Sequence, residues 1–212
     1  MCGRTTRTNP DLFPEFSILG PAPLPPGLLT QSNNVTPGQD QFTVVMEDGT
    51  PTARMLKWGL VPAWLKDSKG KPAPYNARSE TAASKPYFRD AFRNGRCLVL
   101  VDGFYEWQKQ PTPFAKGVTK QPFFLHLKSG KPFALAGLYA GNTCTVLTTT
   151  PNSLMTPIHD RMPCILNDRD ARTWLAESSD VGALQALLHP YPASEMELWP
   201  VGNLTDPLKK LI

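Results

Sequence analysis

The stretch CLVLVDGFYEW, residues 97–107, contains two apolar runs that are each long enough for a β-strand, separated only by Asp102 and Gly103. Apolar, β-branched and aromatic runs of this length recur along the chain, and turn residues bound many of them. The other runs are FTVVM (42–46), ARMLKW (53–58), PFFLHL (122–127), FALAGLY (133–139), CTVLTT (144–149) and MELWP (196–200). Strands therefore dominate the predicted fold.

Three stretches among these runs predict short helices. They are SKPYFRDAFRNG (84–95), NDRDARTWLAE (167–177) and DVGALQALLHP (180–190). Ser84 and Asp180 stand where N-caps are expected, and the stretch that begins at Asn167 opens on cap-type residues. Gly95 and Pro190 are stop signals. Many strands and few helices, without βαβ alternation, predict a single α+β domain over residues 2–212. We expect a curved, mainly antiparallel sheet or open barrel with a few flanking helices.

The composition is typical of a folded cytoplasmic protein. Hydrophobic residues make up 41% of the 212 residues and charged residues 19%, a balance that suits a soluble domain. No apolar run reaches the roughly 18 residues of a membrane span, and no hydrophobic leader opens the chain. The proline-rich stretch GPAPLPPG (20–27) predicts an extended surface loop. Because the four cysteines and three histidines lack zinc-site spacing, we expect reduced thiols, no metal and no cofactor.

The net charge of +4 is small, but its distribution is uneven. From Arg78 to Arg96 there are five basic residues and two acidic ones, and Arg4 and Arg7 follow closely after the first cysteine. A local positive field favours a polyanionic partner. A solvated helix face would give the same pattern, so the charge alone leaves both interpretations open.

Four residues are candidates for chemistry. Cys2 follows the initiator methionine directly, which is either incidental in a frayed terminus or places a cysteine first once Met1 is removed. Glu106 shares one face of its strand with Phe104, where burial would raise its pKa and suit acid–base catalysis; a strand-edge ion pair with a lysine is the alternative. His159 and Asn76 lie in polar stretches, where a structural histidine and a turn asparagine are equally consistent with the sequence.

Seven motifs nevertheless occur together in an order that resembles the SRAP family, the SOS-response-associated peptidases, which are abasic-site processing proteins of the HMCES and YedK type. The resemblance covers nearly the whole chain, from residue 2 to about residue 205. The motifs are MCGR (1–4), NVTPGQ (34–39), WGLVPAW (58–64), NARSET (76–81), DGFYEW (102–107), IHDRMP (158–163) and VGN (201–203).

The resemblance implies an enzyme that acts on abasic sites in single-stranded DNA, including single-strand/double-strand junctions. It implies that Cys2 is the nucleophile, Glu106 the acid–base group, His159 a second proton-transfer group and Asn76 a residue that fixes the cysteine or the sugar. It also implies a set of DNA-binding residues, in which arginines contact phosphates and Pro37 and Trp64 act as a wedge against duplex stacking: Arg4, Asn34, Pro37, Trp64, Arg78 and Arg161. Trp58 is expected in the core.

The chemistry of an N-terminal cysteine agrees with this assignment. An α-amine condenses with the aldehyde of a ring-opened abasic sugar, and the thiol of the same residue can then close a thiazolidine ring. The expected function is to shield abasic sites during the DNA damage response, by a monomer that is cytoplasmic and associated with the nucleoid when bound to DNA. Met1 is removed either by autoproteolysis or by a host aminopeptidase. Two alternatives remain: an N-terminal-nucleophile peptidase that acts on peptide bonds, and a non-catalytic single-strand binding module.

Overall fold

A computed structural model describes residues 2–15, 18, 27–65, 73–111, 118–177, 180–202 and 204–209. The strands in these ranges are β1 (Thr5–Arg7), β2 (Ser32–Val35), β3 (Asp40–Glu47), β4 (Thr50–Trp58), β5 (Asn76–Arg78), β6 (Arg96–Val101), β7 (Gly103–Pro111), β8 (Val118–Leu127), β9 (Phe133–Ala140), β10 (Thr143–Thr149), β11 (Met162–Pro163), β12 (Ile165–Leu166) and β13 (Met196–Pro200). The helices are α1 (Ser79–Ala82), α2 (Arg89–Asn94), α3 (Asp168–Leu175) and α4 (Val181–Ala186), with short 3-10 turns at Pro10–Glu15 and Ala193–Glu195.

The strands form two sheets. One has five strands in the order β13-β8-β7-β1-β2, all antiparallel to their neighbours. The other has the order β11-β10-β4-β3-β6-β9-β12, with β5 added beside β10 and a further pairing of β9 with β10. Within it, β10 runs parallel to β4 and β5, while the other pairs are antiparallel. The predicted α+β domain with a curved, mainly antiparallel sheet is confirmed.

All eight apolar runs predicted as strands lie in strands of the structure, namely β3, β4, β6, β7, β8, β9, β10 and β13. The strands that the sequence did not reveal are β1, β2, β5, β11 and β12, each of two to four residues. A hydrophobic period of two cannot be recognised over so short a length. Their pairing partners, which lie far away in sequence, define them.

The helix predicted from Ser84 begins five residues later, so that part of the prediction was wrong. The Ser84 hydroxyl donates to the Thr81 carbonyl instead of capping a helix, and a turn precedes α2, which begins at Arg89. Gly95 ends α2 as predicted; a Cβ there would lie 2.2 Å from the Tyr139 carbonyl oxygen.

The other two helices have the expected N-caps. The side chain of Asn167 accepts from the Asp170 amide, and that of Asp180 accepts from the Ala183 amide. Helix α4 ends at Ala186, ahead of the predicted stop at Pro190. Of the predicted proline-rich loop, residues 20–26 lie outside the described residues.

Two apolar clusters fill the interior. One packs the larger sheet against the helices and includes Phe92 and Trp174. The other includes Trp58, which is buried as predicted, together with Phe104 and Cys2. The cysteines of the larger sheet are likewise buried. None of the helices in the described part of the chain is long and apolar enough to cross a membrane.

Candidate active site

The N-terminal strand is anchored by Asp102, the residue before β7. This carboxylate is 8% exposed and accepts four hydrogen bonds from β1 and the two residues that follow it: from Thr6 Oγ1 (2.5 Å), the Thr8 amide (2.5 Å), Thr8 Oγ1 (2.7 Å) and the Asn9 amide (3.0 Å). Hydrogen bonds to a charged acceptor are stronger than neutral ones. They hold β1 in register with β7 and so place the first residues of the chain beside the strand that carries Glu106.

Cys2 is buried beside this strand, in the apolar cluster that includes Trp58 and Phe104. Its side chain is fully buried, and its carbonyl oxygen accepts a hydrogen bond of 2.7 Å from Nδ2 of Asn76. Burial raises the pKa of the Cys2 thiol, the negative charge of Glu106 raises it further, and the backbone amide of Arg4, which bonds to the sulfur, opposes the shift. The thiol is therefore neutral near pH 7.

Glu106 is the buried acid of the site. It lies on β7 opposite Phe123 and is 2% exposed. Burial raises the pKa of its carboxyl from 4.5 to about 7, and the charge of Asp160 adds to the rise. The predicted burial and raised pKa are confirmed. At neutral pH the group is divided between its acid and its base form, which suits proton transfer in both directions.

His159 comes from the loop between β10 and β11. Its Nδ1 lies 3.1 Å from the Arg161 backbone amide and 2.8 Å from Oδ1 of Asp160. The first contact needs an unprotonated Nδ1 and the second a protonated one, so only one operates at a time. Burial lowers the pKa of His159, and the positive charge of Lys109 also lowers it, against the opposing charge of Asp160. We therefore assign the neutral ring, with Nδ1 accepting from Arg161 and the proton on Nε2.

Comparison with known proteins agrees with this arrangement. The model of the family described as SOS response associated peptidase (SRAP) matches residues 1–206. The chain belongs to the SRAP family. The family resemblance expected from the seven motifs is confirmed.

Several SRAP relatives are similar over most of the chain. The abasic site processing protein YoqW of Bacillus subtilis is 40% identical, covering 97% of this chain and 94% of its own. YedK of Escherichia coli, also named an abasic site processing protein, is 29% identical over 83% of this chain and 79% of its own. A solved structure, a phage-related protein from Bordetella bronchiseptica, superposes with a TM-score of 0.74 at 26% identity and covers 95% of each chain.

The His159 loop of this SRAP chain is held by Asn152. Its Oδ1 accepts from the Met155 amide at 2.9 Å, and its Nδ2 donates to the Tyr191 carbonyl at 2.7 Å. The Met155 carbonyl in turn accepts from the His159 amide at 3.0 Å. From the other side, Gln108 on β7 donates to the carbonyl of Pro157 in the same loop, at 3.0 Å.

Arg161 belongs to an internal ion pair. Its guanidinium is bidentate to Glu80, with N–O distances of 2.7 and 2.9 Å, and also donates to the Thr148 carbonyl; the residue is 8% exposed. The pair joins α1, which follows Asn76, to the segment that follows His159. The phosphate contact predicted for Arg161 remains a prediction, and the structure gives this side chain partners within the protein.

The other residues predicted to bind DNA are at the surface or close to it. Nη1 of Arg4 donates to Oδ1 of Asn34 at 2.7 Å, so these two lie together beside Cys2. Pro37 is exposed in the turn between β2 and β3, and Arg78 is exposed at the end of β5. Trp64 is 54% exposed, with its ring 6.1 Å from that of Tyr87. Their roles in binding remain predictions.

Sequence reasoning missed the residues that hold the candidate site together. Asp102 and Asn152 are polar residues at strand boundaries, a placement that is ordinary for turns. Their partners lie far along the chain, and no local pattern reveals them. Arg96, counted in the basic segment, is buried and donates to four backbone carbonyls near the ends of α2 and α3, so it contributes nothing to a surface track.

Proposed function

We propose that this protein processes abasic sites in single-stranded DNA by forming a covalent crosslink through Cys2. The relatives named above as abasic site processing proteins support the general activity. The observation that carries the proposal is the pairing of a buried Cys2, held through its backbone by Asn76, with a buried Glu106 whose pKa is near neutrality.

The reaction begins after Met1, which lies outside the described residues, has been removed. The freed α-amine, with an ordinary pKa of about 7.7 to 8.0, attacks C1′ of the ring-opened sugar to give a carbinolamine. The carboxylic acid form of Glu106 gives its proton to the departing hydroxyl, which leaves as water. An iminium ion remains between C1′ and the nitrogen of Cys2.

The thiol then closes the ring. As Sγ of Cys2 bonds to C1′, the iminium nitrogen takes back its electron pair and the Glu106 carboxylate accepts the thiol proton. One water is released overall, and Glu106 returns to its acid form. Because burial keeps the thiol protonated, the amine attacks first and the thiol second. A base beside the sulfur is needed only at the second step.

The remaining groups have supporting roles in this scheme. Asn76 Nδ2 orients Cys2 through its carbonyl, and Asn76 Oδ1, which is buried without a hydrogen-bond partner among the described residues, is available to a donor on the sugar. Nε2 of His159 supplies a second proton, including during reversal of the crosslink. Arg4 and Asn34 would meet the backbone of the strand beside Cys2.

Intact mass spectrometry tests the proposal. The purified protein should lack Met1, and incubation with a single-stranded oligonucleotide that carries one abasic site should add the mass of the oligonucleotide less one water. Cys2→Ala should abolish this adduct and should still bind an abasic analogue that has no aldehyde and cannot crosslink. An adduct formed by Cys2→Ala would contradict the assignment, and repeated turnover of peptide substrates without any DNA adduct would favour the peptidase.

A further inference from the structure

The chain has a long segment without acidic residues that begins at the candidate active site. No aspartate or glutamate lies between Glu106 and Asp160, whereas five lysines do. Two of them, Lys109 on β7 and Lys120 on β8, are direct partners across the two strands. Side chains paired in this way have Cβ atoms about 5 Å apart, so two like charges there are destabilising.

This repulsion is not relieved within the described part of the protein. Lys109 and Lys120 are both exposed, and neither forms an ion pair with a described residue. The neighbouring cross-strand pairs, Gln108 with Gln121 and Gln110 with Thr119, are neutral. The free protein thus bears an electrostatic cost that a bound anion would remove.

The two lysines share the outer face of the five-stranded sheet with an aromatic side chain. Alternation along β7 places Lys109 on the face that carries Trp107, and the register places Lys120 beside it. The Arg4 guanidinium lies 5.6 Å from the centre of the Trp107 ring. We name this row the basic stripe (Arg4, Trp107, Lys109 and Lys120).

The basic stripe reaches the candidate active site. Lys109 is three residues from Glu106, about 10 Å along the strand and on its other face, and its charge is one of the causes that lower the pKa of His159. Gln108, between them, is hydrogen-bonded to the loop that carries His159. A polyanion bound at the site would pass Lys109 within about one Debye length, where attraction between exposed charges persists.

We propose that Lys109 and Lys120 bind backbone phosphates of the DNA strand on one side of the reacting sugar, so that the DNA-binding surface extends along the paired ends of β7 and β8. This rests on the proposed function, which supplies the polyanion. Surfaces for single strands combine a basic track with aromatic side chains on which bases stack, and the basic stripe offers both. Arg4, already predicted to contact DNA, lies over Trp107 and two residues from Cys2, and so joins this extension to the candidate active site.

Fluorescence anisotropy with a single-stranded oligonucleotide tests the extension. The oligonucleotide carries a tetrahydrofuran abasic analogue, which has no aldehyde and cannot crosslink. The variant K109Q/K120Q is compared with K128Q/K131Q, which removes the same charge at the turn after β8. For single strands the affinity falls with salt by a slope of about 0.7 per neutralised phosphate, so K109Q/K120Q should reduce the slope by about 1.4. Its affinity at 0.1 M salt should fall roughly tenfold, while K128Q/K131Q should match the wild type.

The polarity of the bound DNA strand provides the second readout. With the analogue near the 5′ end of one oligonucleotide and near the 3′ end of another, K109Q/K120Q should weaken binding to only one of them. An unchanged salt slope, an equal loss in K128Q/K131Q, or an equal loss with both oligonucleotides would overturn the proposal.

The final crosslink yield of K128Q/K131Q on saturating abasic DNA should equal that of the wild type, since these two lysines lie outside both the basic stripe and the candidate active site. A wild-type protein that forms no crosslink would refute the proposed function. The anisotropy comparison would still decide whether the basic stripe binds DNA, so the two failures are distinguishable.

Discussion

The side-chain amide of Asn76 donates to the carbonyl oxygen of Cys2 over 2.7 Å, although 74 positions separate the two residues in sequence. Asn76 is the first residue of β5, whose position is fixed by parallel pairing with β10. The bond therefore ties the start of the chain to the larger sheet, while β1 ties it to the smaller one. Cys2 lies between the two sheets, held by its backbone, with its thiol left for chemistry.

Glu106→Gln should slow crosslink formation by about 10²-fold or more, the usual contribution of a general acid–base group. Glutamine keeps the size of the side chain and cannot give or take the proton that the leaving water and the thiol require. The rate is measured from denaturing gels of single-turnover reactions. Adding Gln108→Glu to this variant places an acid two residues away and should not restore the rate. Recovery of the rate would show that the position of the acid on β7 is unimportant.

The raised pKa of Glu106 makes the stability of the protein depend on pH. Between pH 4.5 and about 7 the unfolded chain loses the Glu106 proton while the native protein retains it. The stabilisation that this proton gives to the native protein is therefore complete below pH 4.5 and is lost as pH rises through about 7. The free energy of unfolding of the wild type should therefore fall relative to that of Glu106→Gln by about 3 kcal/mol between pH 4.5 and pH 8, as measured by urea denaturation. A difference independent of pH would contradict the raised pKa.

Asp102→Ala should lower the free energy of unfolding by about 3 kcal/mol, because it leaves the buried Thr6 hydroxyl and the partly buried donors of Thr8 and Asn9 without their charged acceptor. Crosslinking by the folded fraction should also slow, since Cys2 is placed by the strand that Asp102 anchors. Urea denaturation and crosslink rates measure the two effects. Asp11→Asn, at an exposed acid of the following turn, is the matched control and should change neither.

Asn152→Ala should release the loop that carries His159. The expected result is a rise in the pKa of His159 toward 6.5, because the burial that lowers it would diminish, together with a roughly tenfold slower crosslink. NMR titration of the ring measures the first and gel assays the second. Ser153→Ala, at an exposed neighbour, should leave both unchanged. If Asn152→Ala lowered stability without moving the histidine pKa, Asn152 would be a purely structural residue.

Much of the fold could be predicted from local pattern. Apolar runs of strand length identified eight strands, and Asn167 and Asp180 marked two helix starts, because alternation and capping act over a few residues. The burial of Glu106 followed from its place beside Phe104 in one such run. The start of α2 was missed because Ser84 has a competing acceptor one turn back, at Thr81.

The sequence by itself determined that a cysteine stands second in the chain and that acid, amide and imidazole side chains occur in motifs of one family. Only the tertiary structure decided which of them meet. Asp102 anchors the N-terminal strand, Arg161 pairs with Glu80, and Lys109 faces Lys120. Secondary-structure patterns record the preference of a chain for its immediate neighbours, whereas these contacts depend on how two sheets pair and pack across long loops, which no short stretch encodes.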